Sequence, residues 1–127
     1  MEKPLVWMGQ SLKELRTMPD DVEDEIGYAL HLAQNGGTSD SVTKMKGDLR
    51  DVMEIHVDED GDTYRALYTT AMEDVVYVLD AFKKKSKKGG ETRKADIERI
   101  RGRLKAARAH YAKYGAPKSK EQDKETP

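Results

Sequence analysis

The stretch VMEIHVDEDGDTYRALYT, residues 52–69, decides the fold. Met53, Ile55 and Val57 alternate with Glu54 and His56, the two-residue period of a strand with one buried face. Asp58, Glu59, Asp60, Gly61 and Asp62 follow without an apolar residue and mark a hairpin turn. Residues 63–69 (TYRALYT) read as the return strand. Glu73 and Asp74 turn the chain again. Residues 75–82 (VVYVLDAF) read as a third strand, apolar on both faces and therefore expected at the centre of a sheet covered on both sides.

Outward from this core the period changes. Residues 3–8 (KPLVWM) are short, apolar and contain a proline, as an edge strand tolerates. Leu12, Leu15 and Met18 are three apart, which predicts a short amphipathic helix over residues 11–18, capped by Ser11 or a neighbour. Pro19 ends it, and Asp20 is expected to cap a second helix. Asp21, Glu23, Asp24 and Glu25 crowd the first turns of that helix, where the dipole favours acids. Its buried stripe is Val22, Ile26, Ala29, Leu30 and Ala33, and Asn35-Gly36-Gly37 stops it. Residues 38–48 read as a polar loop, and residues 83–90 (KKKSKKGG) as a basic one. A long helix is predicted over 94–114, its seam of Ile97, Ile100, Leu104, Ala107 and Tyr111 packing on the domain or on a partner. Residues 116–127 (APKSKEQDKETP) have the composition of a disordered tail. The order is β-α-α-β-β-β-α, an α+β class, with a domain over 1–114 and a polar tail over 115–127.

The 127 residues are 37% charged, 36% hydrophobic and 6% aromatic. That length suits one domain. No apolar run reaches the roughly 18 residues of a membrane span. The first residues lack a basic segment followed by a long apolar stretch, so no secretory signal is expected and a bacterial-type cytoplasm is. The absence of cysteine excludes disulfides, thiol catalysis and cysteine-based zinc sites. The formal net charge of −1 hides a division. Residues 1–82 carry seven Lys/Arg and eighteen Asp/Glu, a net of −11, while residues 83–114 carry thirteen and three, a net of +10. Such asymmetry suggests an anionic partner for the basic part. The plainer alternative is internal neutralisation, the acidic part folding against the basic part.

Few motifs survive inspection. Asp58, Asp60 and Asp62 invite a calcium-loop reading, but the glycine falls too early, Thr69 stands where a bidentate Glu is needed, and strands flank the loop. His31, His56 and His110 fall on three separate elements without ligand spacing, so no metal site is expected. No Ser-His-Asp arrangement or glycine-rich phosphate loop is present. His56 shares a strand face with Glu54. Arg65 lies on the paired strand, flanked by Tyr64 and Tyr68, and a lysine cluster follows the next strand. A histidine that titrates near neutrality and an arginine that clamps phosphate suit RNA cleavage by 2′-hydroxyl attack. That reaction needs a base, an acid and stabilisation of the phosphorane. The competing reading makes Glu54 and His56 surface residues, pairs Arg65 with an acid and leaves KKKSKK as a solvated loop.

Residues 52–57 followed by Gly61, the YRxxY of Tyr64 to Tyr68, and VVYVLxAFxKKS from Val75 to Ser86 resemble the RelE/HigB-type toxins of bacterial toxin–antitoxin modules. The phage-derived HigB-like subset is the nearest, and KPLVW at 3–7 and EIGYAL at 25–30 are similar to it too. The likeness spans roughly residues 3–110. It implies a RelE-like toxin fold, a small twisted and mostly antiparallel sheet with helices packed on it. It implies a ribosome-dependent mRNA endoribonuclease that enters the ribosomal A site, cuts mRNA without metal or cofactor, and is held inactive by a cognate antitoxin, often a helix-turn-helix repressor. The family's acid/base residues map onto Glu54 and His56, and its phosphate-binding arginine onto Arg65. Its basic strand-end residues map onto Lys83, Lys84 and Lys85. Lys84 joins Arg65 in the catalytic set as a stabiliser of the phosphorane, and Lys44, Lys46, Lys83, Lys85, Lys87 and Lys88 become expected RNA contacts. Related sequences often carry His where this chain has Asp80, which joins the catalytic set as an acid/base or as the group that orients His56. That departure keeps two alternatives open: a family member that binds an antitoxin or regulator without cutting RNA, and a gyrase-inhibiting toxin of the same fold.

Overall fold

The computed structural model describes residues 2–84, 94–117 and 125–126. In chain order the elements are β1 (Leu5–Met8), α1 (Ser11–Arg16), α2 (Asp20–Gln34), β2 (Val42–Lys44), a 3₁₀ turn (Gly47–Leu49), β3 (Val52–Glu59), β4 (Asp62–Thr69), β5 (Val76–Lys84), α3 (Lys94–Tyr114) and the two-residue β6 (Glu125–Thr126). The sheet order is β2-β3-β4-β5-β1-β6. β2 through β5 pair antiparallel, and β1 lies parallel to β5 and β6.

The hairpin turns more tightly than its acidic run suggests. Glu59 pairs with Asp62, so only Asp60 and Gly61 form the loop. Their φ values of 51° and 82° are those of a type I′ turn, whose twist matches the flanking strands.

Strand alternation divides the core into two layers. Leu5, Trp7, Ile55, Val57, Tyr64, Ala66, Tyr68, Val76 and Val78 pack with the buried stripes of α1 and α2. Val6, Met8, Val52, Leu67, Tyr77 and Leu79 pack on the other side against Ile100, Leu104 and Ala107 of α3. The α3 seam thus packs on its own sheet, with Ile97 and Tyr111 at its margins. One irregularity decides where a charge goes. Leu67 pairs with Asp80 but Tyr68 with Val78, so Leu79 is an extra residue in β5. This bulge keeps both Leu79 and Asp80 on the α3 side, where strict alternation would send Asp80 into the α1–α2 layer.

Several expectations are corrected in detail. The polar segment 38–48 contains β2 and the 3₁₀ turn. β2 is three residues long with one apolar side chain, too short for a period to develop, and its pairing with β3 makes it a strand. Ser11 lies inside α1, and its hydroxyl donates to the Val78 carbonyl (3.3 Å) instead of capping; Gln10 occupies the cap position. Asp20 is the first residue of α2, and the cap position belongs to Pro19, whose carbonyl accepts from Glu23 N–H (2.9 Å). Lys83 and Lys84 belong to β5 and not to a loop. β1 is fully buried along its length and is an edge only where β6 does not adjoin it. Residues 85–90 of the basic loop, and 118–124 and 127 of the tail, lie outside the described residues.

Candidate functional site

The hairpin register and the bulge gather five chemistry-bearing side chains on the α3 face of the sheet. His56 pairs with Arg65 and Arg65 with Phe82; Glu54 pairs with Leu67 and Leu67 with Asp80; Asp58 pairs with Thr63 and Thr63 with Lys84. These rows place His56, Glu54, Arg65, Asp80 and Lys84 together. Lys83 falls on the opposite face, where its Nζ meets Asp62 at 3.2 Å. Lys44 pairs with Met53 and also falls on the α1–α2 side, away from His56. Lys46 precedes the 3₁₀ turn. Lys85, Lys87 and Lys88 lie outside the described residues.

Two clusters adjoin within this face. In the buried one, Arg65 Nη1 donates to Glu54 Oε2 at 2.6 Å, and the two side chains are only 2% and 15% exposed. In the exposed one, His56 Nε2 stands 3.3 Å from Asp58 Oδ1, with the imidazole 42% exposed. The Thr63 hydroxyl donates to the same carboxylate oxygen at 2.8 Å. That hydrogen bond, with the positive charge available on His56 and on Arg65, holds the Asp58 carboxyl below its ordinary value. A carboxylate that stays ionised on one ring nitrogen fixes the imidazole and leaves the other nitrogen for proton exchange.

Asp80 serves a different environment. Arg99 Nε donates to its Oδ2 (2.8 Å), Arg103 Nη1 to its Oδ1 (2.8 Å), and its own carboxylate accepts from Ala81 N–H (3.0 Å). Burial pushes its carboxyl above the ordinary value against the pull of these two guanidinium groups. The carboxylate recorded on His56 is therefore Asp58, while Asp80 ties α3 to β5. Gly9, at φ 55°, clears the way for Arg103, because a Cβ there would stand 2.8 Å from the guanidinium.

The sequence pattern placed Asp58 only in a turn, and gave no role to Thr63, Arg99 or Arg103. For the last two a signal exists. An aspartate inside an apolar strand needs a cationic partner, and Arg99 and Arg103 are four apart on one helix face. The same pairing recurs along α3: Arg101 Nε donates to Asp48 (2.6 Å) and Arg108 Nη2 to Asp51 (2.6 Å). Internal neutralisation therefore takes up a good part of the positive segment.

Among the described residues no three His, Asp or Glu side chains group as a metal site, and no helix is long and apolar enough to cross a membrane. Compared with known families, the chain matches the one described as "Phage derived protein Gp49-like (DUF891)" over residues 13–105. No curated protein matches it. Among solved structures it is similar to a chain of the toxin–antitoxin complex RelBE2 from Mycobacterium tuberculosis, at 13% identity and a TM-score of 0.48, over 66% of this chain and 100% of that one.

Proposed function

We propose that this chain, which belongs to the phage-derived Gp49-like family, is the toxin of a toxin–antitoxin pair of the RelE/HigB type and acts as a ribosome-dependent mRNA endoribonuclease. The observation that carries the reading is the register that sets exposed His56 opposite Arg65 on one sheet face, with Lys84 in the next row. In the reaction the 2′-oxygen attacks the adjacent phosphorus, the bond to the 5′-oxygen breaks, and one proton leaves the nucleophile while another reaches the leaving group. His56, oriented by Asp58, moves the proton at the exposed end. Arg65 and Lys84 supply positive charge for the phosphorane, and Glu54 fixes Arg65. Asp80 acts as a positioning residue through Arg99 and Arg103. Residues 1–114 make up the toxin domain. It works in the cytoplasm, where its substrate is translated, and a small helix-turn-helix antitoxin silences it.

The test is cleavage of a reporter mRNA in an actively translating extract. Wild-type chain is expected to cut, and His56→Ala to cut roughly 100-fold more slowly or worse, the usual loss of a general acid/base. Absence of cleavage by the wild type, together with unchanged growth on induced expression, overturns the nuclease. A second reading has one observation in its favour. Arg65 is 2% exposed and already holds Glu54, as the charge partner of a structural core would. On that reading the chain binds its target without cutting. Toxicity that persists in both His56→Ala and Arg65→Ala selects it.

A further inference from the structure

Phe82 completes the row that His56 and Arg65 begin, one strand further on. Above its ring lies the guanidinium of Arg99, with the central carbon 5.6 Å from the ring centroid. The same guanidinium is held at two edges, Nε donating to Asp80 (2.8 Å) and Nη2 to Asp96 (2.7 Å). A ring below and a carboxylate at each of two edges fix its plane before any ligand arrives. Yet the Arg99 side chain remains 36% exposed.

It is exposed into a cleft. β1 pairs with β5 only as far as Trp7 and Val78. Beyond that point α1 and α3 flank the β5 edge and leave a cavity of about 500 Å³, lined by Gln10, Glu14, Phe82, Asp96, Arg99 and neighbouring residues. This volume lies in the range of small-molecule sites. Its lining carries Glu14, Asp80 and Asp96 against Lys83, Arg99 and Arg103, so acids and bases balance. Among the described residues the cleft carries no net positive charge, and so has little attraction for a phosphate. It suits a neutral planar group that stacks.

We propose that this cleft is a nucleobase subsite, in which a base of single-stranded RNA beside the cleaved phosphodiester stacks on the Arg99–Phe82 platform. The proposal rests on the endoribonuclease reading and extends it from proton transfer to substrate hold. Single-stranded RNA is gripped mainly by base stacking on aromatic rings and guanidinium planes. Fixing one base beside the scissile bond supplies the orientation that an exposed histidine cannot provide alone. Arg99 and Phe82 are binding residues here, with Asp80 and Asp96 positioning them.

The test has two arms that fail separately. In the binding arm, the full chain carrying His56→Ala is titrated with a short single-stranded RNA containing one 2-aminopurine. Fluorescence quenching and movement of the Arg99 Nε–H resonance are followed together. Both signals are expected, and Phe82→Leu or Arg99→Lys should weaken binding roughly tenfold, within what one base stack contributes. Arg99→Lys keeps the charge and loses the plane, so its loss of affinity separates stacking from electrostatics, and far-ultraviolet circular dichroism checks that each variant folds. Absence of quenching, or affinity unchanged in both variants, overturns the subsite. So does an Arg99 resonance that moves only when an antitoxin-derived peptide is added, since the β5 edge then serves a protein strand. In the cleavage arm the wild type is assayed in the translating extract. Cleavage with a negative binding arm removes the subsite and keeps the nuclease. Stacking without cleavage keeps the subsite and removes the nuclease.

Discussion

Glu54 and His56 are two residues apart on one strand and have opposite fates. Glu54 is drawn into the sheet by Arg65, while His56 stays at the surface on Asp58. The period-two pattern of residues 52–57 made their shared face legible, but not this difference in depth, which depends on where the arginine of the neighbouring strand ends. Asp58 was harder to read. The acidic run looks like a turn from 58 to 62, whereas the strand continues to Glu59 and the turn is two residues long. Only that extension puts Asp58 on the same face as His56. The difference in depth predicts a difference in energetics. Glu54→Gln removes the carboxylate that Arg65 holds at 2.6 Å, and breaking a buried pair costs about 3 kcal/mol or more. His56→Ala removes an exposed ring and should stay within about 0.5 kcal/mol of wild type. Urea denaturation of the two variants measures both. Equal stabilities would mean that the Glu54–Arg65 pair does not hold the sheet face together.

At the scale of elements, the bulge in β5 and helix α3 depend on each other. The apolar seam of α3 was readable from its spacing, and it packs as that spacing requires. The bulge was not readable, because VVYVLDAF is apolar on both faces and alternation cannot say which residue is extra. Asp80 supplies the answer only once Arg99 and Arg103 stand above it. Burial raises the Asp80 carboxyl above its ordinary value of 3.8, and the sign of the pH effect follows. The folded chain binds this proton more readily than the unfolded one. The contribution of Asp80 to stability is thus fully present below its ordinary value and lost as pH rises through its folded value. Asp80→Asn cannot titrate and should flatten that descent between acid and mildly acid pH, at a cost in stability near neutrality from two weakened arginine contacts. Urea unfolding of both proteins at a series of pH values checks this. Parallel stability curves would show that Asp80 titrates alike in the folded and unfolded chain.

At the scale of the whole molecule, the described residues form a sheet with two helices on one face and one on the other, and charge as well as apolar area joins the layers. Local patterns along the chain could show that the two halves are oppositely charged. They could not show which acid meets which base, because Asp48 and Arg101, or Asp51 and Arg108, lie more than fifty positions apart and meet only through the crossing of α3 over the sheet. Those two pairs are exposed, so each contributes little and is screened by salt. Asp48→Asn combined with Asp51→Asn should therefore lower the urea midpoint only slightly at low ionic strength. The deficit should shrink toward zero in about 1 M sodium chloride, where the Debye length is near 3 Å. The same double variant moves the formal net charge from −1 to +1 and releases Arg108 from Asp51 and Arg101 from Asp48, Arg101 keeping its contact with Glu98 (2.8 Å). If α3 lies along the RNA, their release strengthens binding of single-stranded RNA and steepens the fall of log K with log salt by about 0.7 for each new phosphate contact. We expect the stability effect without the steeper slope. Arg101 and Arg108 clamp α3 to the segment around the 3₁₀ turn, whereas the proposed RNA path runs along the hairpin rows and the β5 edge. A salt slope that steepens in the double variant would extend the RNA surface along α3 and revive the anionic-partner reading for the whole basic segment.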